Sequence, residues 1–284
     1  MKTQLGLGIL LALLVASTSP VGGDATPPPE CPRASSYLTS LLWTQTAAEH
    51  EALCRQAYTL AKHQLEVGLA NPCWTADVDQ LAAGGYSRKA PAVILDIDET
   101  VLDNAPVNAQ LTLDFLAKKT NDDEMTDAAW LAWTSAARAR AIPGALRFLN
   151  YARCRGAAVF FVTNREDKEA KATRENLKAL GFDVDEAHLL TKNEAAGRPS
   201  EKQSRRASVA ARHRIVLLIG DDFGDFLAGI RGASLADRAQ AVERYGSYIG
   251  DRWIFLPNPI YGSWTKQLGK PNERAKHLVG FEAK

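Results

Sequence analysis

Short apolar segments that alternate with longer amphipathic segments are the feature that most constrains how this chain folds. We predict strands at residues 92–96, 157–163, 188–191, 215–220 and 253–256. Helical patterns lie among them, at residues 143–155, 166–180, 202–212 and 234–245, with a further one from about residue 222. Continuous apolar strands separated by amphipathic helices are typical of a parallel sheet that is covered on both faces. The sequence therefore predicts an α/β fold with helices flanking a parallel sheet.

Two segments extend or interrupt this core, which we place at residues 91–284. Residues 36–90 are predicted to be an N-terminal helical segment, because alanine, leucine, glutamine and glutamate dominate it as far as about residue 69. Residues 103–142 lie between the first strand and the helix that returns from it. Since that stretch is too long for an ordinary connection, we predict a smaller helical cap over the strand ends.

The first residues have the pattern of a secretory signal peptide. Lys2 precedes an apolar run over residues 5–15, and small residues follow it. We predict a signal peptide at residues 1–25 and a proline-rich linker at residues 26–35, and hence an exported protein, periplasmic or secreted. The run is too short for a stable membrane span. No cysteine directly follows it, so no lipid anchor is expected.

Four cysteines, an even number in a chain predicted to be exported, suggest two disulfide bonds. They are Cys31, Cys54, Cys73 and Cys154, and three pairings are open. A bond between Cys54 and Cys73 is the least favourable, because the helix after Cys54 carries the chain about 20 Å away at 1.5 Å per residue. The short return before Cys73 spans only about 16 Å.

The charge pattern argues against a nucleic-acid polymer as partner. The formal net charge is +1, and the lysines and arginines are scattered along the chain. Nucleic-acid binding usually requires a basic patch on one face. The five histidines and four cysteines also lack zinc-ligand spacing. We therefore expect small molecules as partners.

Two carboxylates, Asp96 and Asp98, directly follow the apolar run at residues 92–95. Ligands of open α/β sheets bind outside this end of the strands. Carboxylates are costly to bury without a cation or hydrogen-bond donors, so the pair indicates a metal ion or a phosphate site. We interpret the next two residues, Glu99 and Thr100, mainly as support for the turn.

Three further motifs place polar side chains at the ends of predicted strands or at the start of a helix. Thr163 and Asn164 end the second strand, Lys202 opens a helix, and Asp221 and Asp225 follow the fourth strand. Taken singly, these residues have ordinary interpretations as helix caps or a surface lysine. Parallel strands bring their ends to one edge, so their joint occurrence favours one shared site. We interpret Asp222, which directly follows Asp221, as a helix cap.

In this order, the motifs resemble those of the haloacid dehalogenase (HAD) superfamily of phosphohydrolases. They are more similar still to the class C bacterial acid phosphatases and the lipoprotein 5′-nucleotidases of that group. The match extends to the segments at residues 43–50, 56–58, 101–104, 141–145 and 256–264. The resemblance implies a HAD-like Rossmannoid sheet with a helical cap, and an acid phosphatase activity.

The resemblance also implies a role for each motif residue. Asp96 would be the nucleophile that forms a phosphoaspartate, and Asp98 the general acid and base. Thr163, Asn164 and Lys202 would hold the phosphoryl oxygens. Mg²⁺, which prefers oxygen ligands, would be held by Asp96, the Asp98 backbone carbonyl, Asp221 and Asp225.

Substrate choice would depend on the cap and the C-terminal segment. The resemblance assigns Trp130 and Tyr261 to clasping the leaving group, often a nucleobase, although Trp130 and Trp133 are also spaced to form a cap-helix core. Phosphomonoesters, including nucleoside 5′-monophosphates, are the expected substrates, and a homodimer is open. The alternatives are a phosphomonoesterase without nucleotide preference and a non-catalytic secreted binding or storage protein on the same fold.

Overall fold

The computed structural model describes residues 35–280. The predicted signal peptide, nearly all of the predicted linker and Cys31 lie outside this range. The helices are α1 (Leu38–Thr46), α2 (Ala48–Ala70), α3 (Val78–Ala83), α4 (Ala105–Leu116), α5 (Asp127–Ser135), α6 (Ala145–Cys154), α7 (Ala170–Ala179), α8 (Gln203–Ala210) and α9 (Leu235–Arg244). The strands are β1 (Ala90–Leu95), β2 (Leu102–Asp103), β3 (Arg140–Ala141), β4 (Ala158–Glu166), β5 (Leu189–Lys192), β6 (His213–Gly220) and β7 (Trp253–Phe255).

Five strands form one parallel sheet in the order β5-β4-β1-β6-β7. β1 lies at its centre, between β4 and β6. Alternate residues of β1 face opposite sides: Val93 and Leu95 join one buried cluster, and Ala92 and Ile94 join the other. Strands buried on both faces must be apolar throughout, which explains the continuous apolar runs. The predicted α/β fold is confirmed.

The helices cover both faces of the sheet. α2, α6 and α7 contribute buried residues to one face, and α8 and α9 to the other. α1 and α2 are separate helices because Ala47 between them has an extended backbone, at φ −77° and ψ 126°. α2 is tied to the sheet beyond its end, where the Trp74 indole donates to the Val216 carbonyl at 2.9 Å.

The segment predicted as a cap holds two helices on a two-stranded stem. β2 and β3 pair antiparallel, Leu102 with Ala141 and Asp103 with Arg140, and α4 and α5 lie between them in sequence. The stem begins directly after β1 and its turn. The helices therefore start and end at the carboxyl edge of the sheet, where Asp96 and Asp98 lie.

Two local predictions are wrong. The helix expected from about residue 222 is only a 3₁₀ turn over Phe223–Asp225. There the Asp222 carboxylate accepts from the Gly224 N–H, and the Asp225 carboxylate accepts from the Asp222 N–H. These side chains satisfy the backbone locally, so no longer helix is needed. Glu166 ends β4, paired with Lys192 of β5, instead of starting a helix.

The expectation of two disulfides is also wrong, because the three described cysteines are free thiols. Cys54 lies on the buried face of α2, and Cys73 and Cys154 are exposed. Burial raises the pKa of the Cys54 thiol to about 12. Among the described residues, no helix combines the length and apolar character needed to cross a membrane.

Candidate active site

A cavity of about 470 Å³ lies at the carboxyl edge of the sheet. Residues predicted from the sequence line it, namely Asp96, Asp98, Trp130, Asn164, Lys202, Asp221, Asp225 and Tyr261. A larger cavity of about 590 Å³ lies between α2 and α6, and no carboxylate lines it. The first cavity is the candidate site, because the predicted carboxylates and Lys202 line it together.

Lys202 and two carboxylates form the buried centre of the site. The Lys202 ammonium lies 2.6 Å from Asp96 Oδ1 and 2.6 Å from Asp225 Oδ1. Asp96 directly follows β1, and Lys202 directly precedes α8, so rigid elements hold both groups. The Lys202 side chain is only 3% exposed. A buried ammonium requires such partners. The two carboxylates therefore explain why Lys202 is buried instead of lying at the surface.

The electrostatics of this centre are those of crowded, buried carboxylates. Burial raises the pKa of Asp96 to about 7, with Asp225 and Asp98 acting in the same direction and Lys202 opposing them. Burial also raises the pKa of Asp221 well above its ordinary value. For Lys202, burial acts to lower the pKa, but Asp225 and Asp96 outweigh it and the pKa is raised. The ammonium is therefore charged, and the carboxylates lack full compensation.

Three carboxylates are placed to hold a cation. Asp96, Asp221 and Asp225 each offer an oxygen, and these oxygens lie within 4.8 Å of one another. Asp221 is oriented by the Thr100 hydroxyl at 3.0 Å and the Asn258 amide at 2.9 Å. If all three carboxylates ionise, the single Lys202 ammonium leaves two negative charges without a partner. Hard carboxylate oxygens with this charge fit a divalent ion such as Mg²⁺.

The Asp98 side chain is not part of that cluster and is held by hydrogen-bond donors. Arg165 Nε and Nη2 lie 3.0 and 2.8 Å from Asp98 Oδ1, and Asn104 Nδ2 lies 2.9 Å from the same oxygen. The Asp98 side chain is 16% exposed and lines the cavity. Asp96 and Asp98 therefore lie in different surroundings although one residue separates them.

The two predicted site residues at the end of β4, Thr163 and Asn164, lie in different surroundings. Asn164 lines the cavity, and its Oδ1 accepts from Arg205 Nη2 at 2.7 Å. Thr163 is fully buried, and its hydroxyl accepts from the Arg165 N–H at 3.1 Å. It is not among the residues that line the cavity. Arg205 itself is buried, and burial lowers its pKa to about 10.

Aromatic residues come from the cap and the C-terminal segment. Trp130 of α5 lines the cavity with its ring centroid 5.7 Å from the Arg165 guanidinium. Trp133 packs against the core instead, so the two tryptophans of α5 are separated in role. Tyr261 also lines the cavity, and its hydroxyl donates to the Glu99 carboxylate.

The carboxylates of Glu99 and Asp222 accept hydrogen bonds from the C-terminal segment as well as from their own turns. Glu99 has a positive φ of 55°, and burial raises its pKa well above the ordinary value. It accepts from Asn104 as well as from Tyr261, so it joins the turn to the C-terminal segment. Asp222 caps its turn as predicted, and it also accepts from the N–H and hydroxyl of Ser263. Burial acts to raise the pKa of Asp222, but these hydrogen bonds outweigh it and the pKa is lowered.

The structure brings to the site three polar residues that are not among those predicted from the sequence as site residues. Arg165 and Asn104 bind Asp98, and Asn258 binds Asp221. All three stand next to residues already singled out, at the end of β4, after the first motif and in the C-terminal motif. Their position beside a predicted motif was the sequence signal that could have identified them as site residues.

Comparison with known proteins gives consistent matches. The family model for the HAD superfamily, subfamily IIIB (acid phosphatase), matches residues 11–264. A solved class C acid phosphatase from Bacillus anthracis is 32% identical with a TM-score of 0.71, and the match covers 87% of this chain and 98% of that one. A structure of the class C acid phosphatase from Bacillus anthracis with tungstate bound is 31% identical, with a TM-score of 0.70 and the same coverage.

Curated plant proteins are more distant. Acid phosphatase 1 of Solanum lycopersicum is 24% identical over 205 residues, which are 68% of this chain and 71% of that protein. The stem 31 kDa glycoprotein of Glycine max is 27% identical over 175 residues, 59% of this chain. The match spans 58% of that glycoprotein's length, less than two thirds of it.

Proposed function

The chain belongs to the acid phosphatases of the HAD superfamily, subfamily IIIB, as its motifs predict, and from this premise we propose that it hydrolyses phosphomonoesters through a phosphoaspartate on Asp96. The observation that carries the proposal is the placement of Asp96. Its carboxylate lies at the end of the central strand, inside the cavity and 2.6 Å from the Lys202 ammonium. A nucleophile held by a rigid strand beside a fixed cation suits attack on an anionic phosphate.

In the first displacement, an Asp96 oxygen forms a bond to phosphorus. The bond from phosphorus to the leaving oxygen breaks, its electron pair stays on that oxygen, and Asp98 supplies the proton. In the second, Asp98 takes a proton from water, and the water oxygen attacks phosphorus. Inorganic phosphate leaves and the Asp96 carboxylate is restored, so one difficult step becomes two easier ones.

Lys202 and Asn164 hold the phosphoryl oxygens, because both line the cavity beside Asp96. Tungstate is a tetrahedral oxyanion with the shape of phosphate. Its binding by the Bacillus anthracis relative supports the proposal that this chain also has an oxyanion site. Thr163 stays a prediction for this role, since it is buried, does not line the cavity, and its hydroxyl accepts from the Arg165 N–H.

Mg²⁺ would be held by Asp96, Asp221 and Asp225 and by the Asp98 backbone carbonyl. When bound, it would offset the repulsion between the phosphate and the Asp96 carboxylate. The three side chains fit this role by their oxygen donors, their spacing and their excess negative charge.

Nucleoside 5′-monophosphates are the proposed preferred substrates, with the base held between Trp130 and Tyr261. Both rings line the cavity, one from α5 and one from the C-terminal segment. Base–aromatic stacking contributes about 1–3 kcal/mol in other proteins. We also propose that the enzyme acts after export, in the periplasm or outside the cell, on the strength of the sequence pattern at residues 1–25.

Hydrolysis of p-nitrophenyl phosphate with Mg²⁺ or with a chelator tests the reaction. We expect activity with Mg²⁺ and little with the chelator. Asp96→Asn should abolish turnover without unfolding the chain, whereas the control Asp185→Asn, at a side chain 89% exposed, should retain it. No hydrolysis at any acidic or neutral pH would favour the non-catalytic binding protein, and a wild-type rate in Asp96→Asn would remove the nucleophile assignment.

Substrate preference needs a separate comparison. We expect kcat/KM to be higher for nucleoside 5′-monophosphates than for simple sugar phosphates, and Trp130→Ala to reduce that difference. Equal values for both substrate classes would leave a phosphomonoesterase without nucleotide preference.

A further inference from the structure

One oxygen of the Asp98 carboxylate receives all the hydrogen bonds. Oδ1 accepts from Arg165 Nε at 3.0 Å, Arg165 Nη2 at 2.8 Å and Asn104 Nδ2 at 2.9 Å. Within residues 35–280, no group donates a hydrogen bond to Oδ2. A carboxylate can accept on both oxygens, so this one-sided arrangement makes the two oxygens chemically different.

Arg165 is held in place from several sides. Its side chain is 1% exposed, and Nη1 donates to the Thr173 hydroxyl at 3.0 Å. Thr173 in turn donates to the Glu169 carbonyl at 2.9 Å, which ties the guanidinium to the first turn of α7. A guanidinium stays protonated and presents its donors in a fixed plane. Arg165 therefore offers Asp98 donors only, in one geometry.

The orientation of the Asn104 amide is determined by the cap. Trp133 of α5 donates from its indole nitrogen to Asn104 Oδ1 at 2.7 Å. An indole nitrogen can only donate, so the amide oxygen must face Trp133. Asn104 Nδ2 then faces Asp98 Oδ1 at 2.9 Å and Glu99 Oε2 at 3.1 Å. Asn104 is fully buried, and the reversed amide would place two donors against each other.

We propose that Arg165 and Asn104 are positioning residues that commit Asp98 Oδ1 to accepting hydrogen bonds, so that Oδ2 carries the proton given to the leaving group. The inference rests on the proposed function, in which Asp98 is the general acid. A proton on Oδ1 would face three N–H donors. The Oδ2–H bond breaks during transfer, its electron pair stays on Oδ2, and the proton goes to the leaving oxygen.

Leaving-group dependence separates this role from general damage to the site. An alkyl phosphate, such as a nucleoside 5′-monophosphate, requires protonation of its leaving oxygen. 2,4-Dinitrophenyl phosphate does not, because its phenolate is already a stable anion. We expect Arg165→Gln to lower kcat for the alkyl phosphate about a hundredfold, within the usual contribution of general acid catalysis. The same variant should lower kcat for the activated ester far less.

Asn104→Leu removes the other donor to Asp98 Oδ1 and should show the same selective loss of kcat for the alkyl phosphate. Trp133→Phe removes only the indole donor to Asn104, so we expect a smaller loss of the same kind. Arg155→Gln is the matched control, because Arg155 is exposed, pairs with Glu66 of α2 and does not line the cavity. It should leave both rates unchanged. Circular dichroism and thermal unfolding identify any variant that does not fold, and the rates of the variants that do fold test the proposal.

An equal loss for both substrates in every folded variant would overturn the proposal and assign these residues to phosphate binding or to structure. Unchanged alkyl phosphate rates would overturn it as well. Failure of the proposed function looks different, because the wild-type enzyme would then hydrolyse neither substrate.

Discussion

Removal of divalent cations is expected to make the stability of this protein fall as pH rises from acidic to neutral. The perturbation acts on Asp96, whose pKa burial raises from 3.8 to about 7. A carboxyl with a higher pKa in the folded chain favours folding while it is protonated. Its contribution is therefore complete below pH 3.8, the ordinary value, and is lost as the pH rises through about 7.

The magnitude follows from that difference. One pKa unit corresponds to 1.36 kcal/mol, so ionising Asp96 in the chelated protein costs the folded state about 4 kcal/mol. Whole domains are stable by only about 5–15 kcal/mol, so the loss is a large fraction. Asp221 and Glu99 act in the same direction, because burial raises the pKa of each well above its ordinary value.

Urea-induced unfolding, followed by circular dichroism, measures this effect. The free energy of unfolding is compared at about pH 4 and about pH 7.5, in chelator and in excess Mg²⁺. We expect a decrease of about 4 kcal/mol or more with pH in chelator, and a much smaller decrease with Mg²⁺, since an ion that binds only the folded chain stabilises it. In Asp96→Asn the decrease should shrink. A chelated wild-type protein that is equally stable at both pH values, or more stable at pH 7.5, would refute the reasoning.

Three other substitutions or reactions follow from the same geometry. Lys202→Met removes the ammonium that pairs with Asp96 and Asp225 in a buried carboxylate cluster, so we expect a loss of about 3–5 kcal/mol by urea unfolding and of about a hundredfold or more in kcat/KM; a stable, active variant would contradict the pairing. Gly144→Ala should destabilise by about 1–3 kcal/mol in thermal unfolding, because its φ is 96° and L residues are strained there; an unchanged midpoint would argue against that backbone. Iodoacetamide should alkylate Cys73 and Cys154 in the folded chain but not Cys54, as mass spectrometry would show, because burial raises the pKa of Cys54 to about 12.

The sheet and the site residues that end its strands were predictable from the sequence. Apolar runs such as residues 215–220 are long enough for strands and too short for most helices. Asp96, Asp98 and Asp221 follow those runs directly, and parallel strands deliver their ends to one edge. Site residues could therefore be predicted where their position directly after a strand also determines their position at the edge of the sheet.

Contacts between distant segments were not predictable in this way. Asp222 accepts from Ser263, 41 positions away, in addition to capping its own 3₁₀ turn. Thr163 and Asn164 are neighbours in sequence, yet one hydroxyl is buried and the other side chain lines the cavity. Such outcomes depend on which remote groups the folded chain brings within hydrogen-bond distance of a side chain, and the local sequence pattern carries no information about that.

The sequence by itself determined the parallel sheet, the order of its helices and strands, and which carboxylates and which lysine reach the carboxyl edge. The physical reason is that burial imposes apolar runs and backbone geometry imposes the edge. Only the tertiary structure decided how those groups differ. It placed Asp96 against Lys202 and Asp98 against Arg165, 67 positions away. Hydrogen bonds and charge depend on distances of a few ångströms, and these arise only when the folded chain brings remote segments together.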